Sequence, residues 1–122
     1  DLTVFDHVLL VATTWLDEPA SASELARGVV AELGLAALGE RFPHELSSGQ
    51  AQLFGIALVL ARPFEVLILD EPEQRLDPEH VQSVIDVLDA RRGQGATLVI
   101  ATHSQVIADG LADHTLDLNG AA

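Results

Sequence analysis

Lysine is absent from the chain, and its six basic residues are all arginines, at positions 27, 41, 62, 75, 91 and 92. A phosphate-binding loop of the form G-x-x-x-x-G-K-[ST] uses its lysine to reach the β and γ phosphates, so these 122 residues hold no such loop. Cysteine is missing too, which excludes disulfides and thiolate metal sites. With no methionine anywhere, Asp1 is expected not to be the natural start. The longest uncharged apolar stretch, Leu53 to Ala61, is far shorter than the about 20 residues a membrane helix needs. No charged start, apolar middle and small-residue cleavage site marks a signal peptide. These absences point to a cytoplasmic protein. Acidic side chains outnumber basic ones 19 to 6, giving a formal net charge of -13. That sign disfavours nucleic-acid backbones and anionic membrane surfaces, both of which reward clustered Lys and Arg.

What is present suits a packed domain, since 48% of the residues are hydrophobic and the length is ordinary for a single core. Residues 3 to 16 place Val4, Phe5, Val8, Leu9, Ala12, Trp15 and Leu16 at helical spacing behind a capping Thr3. Ser23 is the expected cap of a second helix carrying Leu25, Val29, Val30 and Leu33, which Gly34 ends. A short helical turn through Leu35 and Leu38 leads to Pro43. The segment from Gln50 to Ala61 is apolar nearly all round and predicts a helix buried on most sides. Phe64 to Leu69 is predicted as a strand, and Asp77-Pro78 as cap and first turn of a helix with Val81, Val84, Ile85 and Leu88 on one face. Arg91 and Arg92 sit where that helix dipole favours cations. Thr97 to Ala101 is a second strand, and His114 to Leu118 a short third.

Chemistry concentrates in Val66-Leu67-Ile68-Leu69-Asp70-Glu71-Pro72. Four apolar residues suit a strand covered on both faces of a parallel sheet, and the two acids then emerge at its carboxyl end, where open α/β sheets bind ligands. Upstream lies Leu46-Ser47-Ser48-Gly49-Gln50; Arg75-Leu76-Asp77-Pro78 follows; Ala101-Thr102-His103 closes the second apolar strand. Four motifs in this order resemble those of the ATP-binding subunits of ABC transporters: a signature LSGGQ-type loop, a Walker B strand, a D-loop and an H-loop histidine. The likeness extends from Leu2-Thr3-Val4 through Arg41-Phe42-Pro43-His44-Glu45 to nearly the whole chain.

The resemblance implies an α/β fold: a partial P-loop NTPase (RecA-like) parallel sheet preceded by the ABC helical subdomain. Residues 1–62 would form the helical subdomain with the signature loop at 46–50, and residues 63–122 a partial α/β core. In such a domain the P-loop and Q-loop precede the segment that Leu2-Thr3-Val4 resembles, so the chain is expected to be its carboxyl-terminal part. The strand that normally neighbours the last one would then be missing, predicting a companion segment, pairing with another chain, or a rearranged carboxyl terminus.

Residue by residue, the resemblance gives Asp70 the magnesium ion, through water, and Glu71 the attacking water. His103 would contact the γ-phosphate and link Glu71 to the nucleotide. Ser47, Ser48, Gly49 and Gln50 would close in trans on a nucleotide held by the partner, and Asp77 would act in the D-loop across the dimer. The bland reading of the same serines is an ordinary helix cap. ATP and Mg2+ are the implied cofactors of the complete domain. A second ATP-binding subunit and a transmembrane permease are the implied partners, with no nucleic acid, placing the protein peripherally at the inner or plasma membrane. Three departures stand out: Ser48 replaces the usual first glycine, Ala51-Gln52-Leu53 replaces the usual basic residues, and Glu73-Gln74-Arg75 replaces smaller polar ones. His7, His44, His80 and His114 have no comparable setting and read as surface or packing residues. Two other readings stay open: a non-catalytic fragment or interaction module without its own P-loop, and a soluble ABC ATPase outside transport.

Overall fold

A computed structural model describes residues 1–118. Thr3 caps helix α1 (Val4–Trp15), its hydroxyl accepting from Asp6 N–H while the Asp6 carboxylate accepts from Thr3 N–H. Helix α2 (Pro19–Glu32) starts four residues before the expected Ser23 cap. Proline at the first helical position has its φ preset and no N–H to satisfy, so Pro19 nucleates the helix and leaves Ser23 inside it. Gly34 adopts φ +71° just past the end of α2, a left-handed conformation that glycine tolerates best. Short 3₁₀ turns at Ala36–Leu38 and Pro43–Glu45 lead into helix α3 (Ser48–Leu60). That helix begins two residues before Gln50, because Ser47 and Gln50 close a reciprocal capping box.

Strand β1 (Val66–Asp70), helix α4 (Pro78–Gly93) and strand β2 (Thr97–Ala101) form a β-α-β unit with parallel strands in the register Ile68 to Val99 and Asp70 to Ala101. Leu67, Leu69, Leu98 and Ile100 point to the helices and join one continuous core with Val8, Val29, Leu33, Leu53, Leu60, Val84, Leu88 and Ile107. The other face is open, with Val66 55%, Ile68 73% and Val99 52% exposed. The expectation of a strand covered on both faces is therefore corrected. Alternate residues of a strand face opposite ways, and the described helices pack on one side only. A seven-residue helix, α5 (Gln105–Leu111), follows β2, capped by Ser104; no sequence reading anticipated it. The expected third strand is also corrected: 114–118 is irregular, with Leu116 and Leu118 exposed. A strand needs a hydrogen-bonding neighbour, and among the described residues β1 pairs only with β2.

Candidate functional site

The parallel register ends both strands at the same edge, so the residues following Asp70 and Ala101 meet there. Glu71 N–H donates to the Ala101 carbonyl at 2.7 Å, the last rung tying the two turns together. At Glu71 the backbone is left-handed, φ +48°, a conformation that costs an L-residue energy and persists where the surroundings dictate it. That turn aims the carboxylate at His103: Glu71 Oε1 and His103 Nε2 lie 3.5 Å apart. The imidazole is 81% and the carboxylate 37% exposed, so both can meet a ligand from solvent. Asp70 sits beside them as the exposed last residue of β1.

The serine-glycine loop is bound to the same turn. From α3, Gln52 Nε2 donates to the carbonyls of Glu71 at 3.4 Å and Pro72 at 3.2 Å. A Cβ on Gly49 would lie 2.9 Å from the Arg75 carbonyl oxygen, closer than such atoms sit, so glycine is what lets α3 approach. Ser47 Oγ accepts from Gln50 N–H at 3.1 Å, and Gln50 Oε1 accepts from Ser47 N–H at 2.9 Å. The Ser48 and Gly49 amides lie in the first turn of α3, where no intrahelical acceptor exists. Asp77 is turned to its own helix: one carboxylate oxygen accepts from His80 N–H and contacts His80 Nδ1, both at 2.9 Å. Those hydrogen bonds hold its carboxyl below the usual aspartate range.

Sequence reasoning passed over three participants. In the sequence Gln52 and Glu73 stand out only as departures, and Thr102 only as the residue before His103. Their signal was position, a polar side chain one turn into a buried helix and an acid two residues beyond Glu71. Of the remaining histidines, His7 packs edge-on against Phe54 and His44 stacks on Phe42.

A magnesium ion prefers hard oxygen ligands and keeps much of its water. Asp70 offers one exposed carboxylate of that kind, and no three metal-ligating side chains cluster among the described residues. The site thus fits a hydrated ion touched by one acid. It does not by itself cradle a triphosphate, having no lysine. The edge is open, and a cleft lined by Phe5, Arg27, Val30 and Ala36 lies elsewhere.

A family model described as "AAA domain, putative AbiEii toxin, Type IV TA system" matches residues 9–109. The chain is 36% identical over 112 residues to the glutamine transport ATP-binding protein GlnQ of Bacillus subtilis, covering 91% of itself and 46% of that protein. It is 41% identical over 119 residues to the methionine import ATP-binding protein MetN of Cereibacter sphaeroides, covering 97% of itself and 34% of that relative. The chain therefore spans less than half the length of these relatives. A solved ATP-binding subunit of an ABC transporter superposes with a TM-score of 0.80 at 25% identity, over 93% of this chain and 47% of that one.

Proposed function

From the premise that this chain belongs to the AAA-domain family, with ABC transporter ATP-binding proteins as its homologues and their P-loop NTPase fold, we propose that it carries the hydrolytic edge of an ATP-hydrolysing ABC transporter subunit. The observation that carries this reading is the Glu71–His103 pair, 3.5 Å apart at the carboxyl edge of a parallel strand pair. Phosphoryl transfer to water asks a protein mainly to position the nucleophile and stabilise charge. Glu71 orients the attacking water and takes its proton, and His103 donates toward the γ-phosphate while its other contact keeps it beside Glu71. Asp70 would hold Mg2+ through water, and the ion would supply positive charge to offset that of the triphosphate.

The signature loop, Ser47 to Gln50, presents helix amides to a triphosphate held by a second ATP-binding subunit. Asp77 works at the same interface, and dimer closure drives a transmembrane permease. In this proposal residues 1–62 are the helical subdomain and 63–122 the sheet-bearing part. The location is cytoplasmic and peripheral to the membrane, in keeping with the absence, among the described residues, of any helix long and apolar enough to cross one.

A second reading, a non-catalytic module, is favoured for the 122 residues alone by the lack of lysine and by the exposed sheet face. The two readings are separated by nucleotide titration and phosphate release. The chain alone is expected to bind ATP negligibly; micromolar binding would contradict the need for a P-loop from elsewhere. Joined to a G-x-x-x-x-G-K-[ST] half-domain from a relative, it is expected to release phosphate, and Glu71→Gln to lower that rate by about 10²–10⁴-fold. Full turnover in Glu71→Gln would sink the catalytic reading.

A further inference from the structure

The turn after Glu71 and the turn around His103 are joined by a side chain that the hydrolytic reading leaves unused. Glu73 Oε2 accepts a hydrogen bond from Thr102 Oγ1 at 2.6 Å, and the same Thr102 oxygen accepts from Ser104 N–H at 2.9 Å. Thr102 and Ser104 flank the histidine, so the second bond closes a hydroxyl turn around it. The first bond fixes the Thr102 rotamer on which that turn depends. His103 itself is exposed, and among the described residues its polar side-chain contact is Glu71. Packing therefore does not orient the imidazole.

Glu73 is also an uneconomical choice for a merely structural role. Its Oε1 is buried with no hydrogen-bond partner among the described residues, and an unpaired buried acceptor destabilises a fold. A smaller side chain would avoid that penalty. Rules of local stability are broken most often at sites kept for another reason.

We propose that Glu73 is a positioning residue: acting through Thr102, it holds the His103 turn so that the imidazole stays within reach of Glu71. The inference deepens the reading of Glu71 and His103 as the reacting pair, yet it can be tested on the chain without nucleotide. In isotopically labelled protein, the nuclear Overhauser contact between the His103 ring and the Glu71 side chain, and the three-bond couplings of Thr102 χ1, report the arrangement directly.

Glu73→Ala is expected to lose the contact and to average the couplings, with a melting temperature no lower than that of the parent. Thr102→Val, nearly isosteric but without the hydroxyl, is expected to lose the same contact. Glu73→Gln keeps a carbonyl acceptor and Thr102→Ser keeps a hydroxyl, so both are expected to restore it. Should Glu73→Ala fail to fold, Thr102→Val with its Thr102→Ser control carries the test. An intact His103–Glu71 contact in Glu73→Ala or in Thr102→Val overturns the proposal, as does a Glu73→Gln variant as disordered at His103 as Glu73→Ala. These readouts are independent of phosphate release, so the loss of Glu73's role and the loss of the hydrolytic reading are distinguishable.

Discussion

At the scale of single residues, the site is built from backbone conformations that ordinary side chains avoid. Glu71 and Arg75 both have positive φ, +48° and +65°, at the two ends of the turn that carries the acid. Among the described residues Arg75 makes no side-chain hydrogen bond or ion pair, so Arg75→Gly is expected to raise stability by about 1 kcal/mol by relieving the left-handed penalty. Urea midpoints measure it, and a loss of stability would show that the arginine side chain contributes packing. Gly49 is the opposite case, since its Cβ would meet a backbone carbonyl 2.9 Å away. Gly49→Ala is expected to cost about 1–3 kcal/mol of stability, read as a lower melting temperature; an unchanged one would mean that α3 shifts freely. The acids and His103 were legible as residues, because an apolar strand ending in polar groups is a local pattern. Gln52, Glu73 and Thr102 were not, because their partners lie 19 to 29 residues away.

Among the elements, α4 shows how far local rules reach. Asp77 caps it, Pro78 begins it, and Arg91 and Arg92 end it, as the sequence predicts. Because the folded Asp77 carboxyl titrates lower than usual, its stabilisation is present above the ordinary aspartate value and is lost as pH falls through the lowered one. The urea midpoint is therefore expected to fall below about pH 4, and less steeply in Asp77→Asn, which keeps the cap but not the charge. Equal slopes would show that other carboxylates dominate acid unfolding. The inner face of α4 is more critical: Leu88 is fully buried, and Leu88→Ala is expected to cost about 2–5 kcal/mol through the cavity it leaves, measured by denaturant unfolding. Helix α2 shows the limit of the same rules. Two start signals, Pro19 and Ser23, lie four residues apart, and the helix opens at Pro19, whose φ is preset and whose missing N–H leaves no donor unpaired.

For the molecule as a whole, the dominant feature among the described residues is a two-stranded sheet with helices on one face and Val66, Ile68 and Val99 open on the other. Exposed apolar strands are templates for association. Ile68→Thr is expected to leave the melting temperature nearly unchanged while reducing concentration-dependent association in light scattering; a large loss of stability would mean that this face is packed in solution. Helices α2 and α4 are joined by the continuous core and by Arg91, which pairs with Glu32 of α2 through both terminal guanidinium nitrogens at 3.1 and 3.3 Å. By itself the sequence determined the bodies of helices α1 to α4, the two strands, the order of motifs and the absence of a lysine-bearing phosphate loop, because periodicity, caps and composition act within a few residues. Only the tertiary structure decided that Glu71 meets His103, that Glu73 reaches Thr102, that one sheet face stays bare and that 114–118 forms no strand. Each of those depends on which backbone lies alongside which, and that is set by pairing and packing across tens of residues.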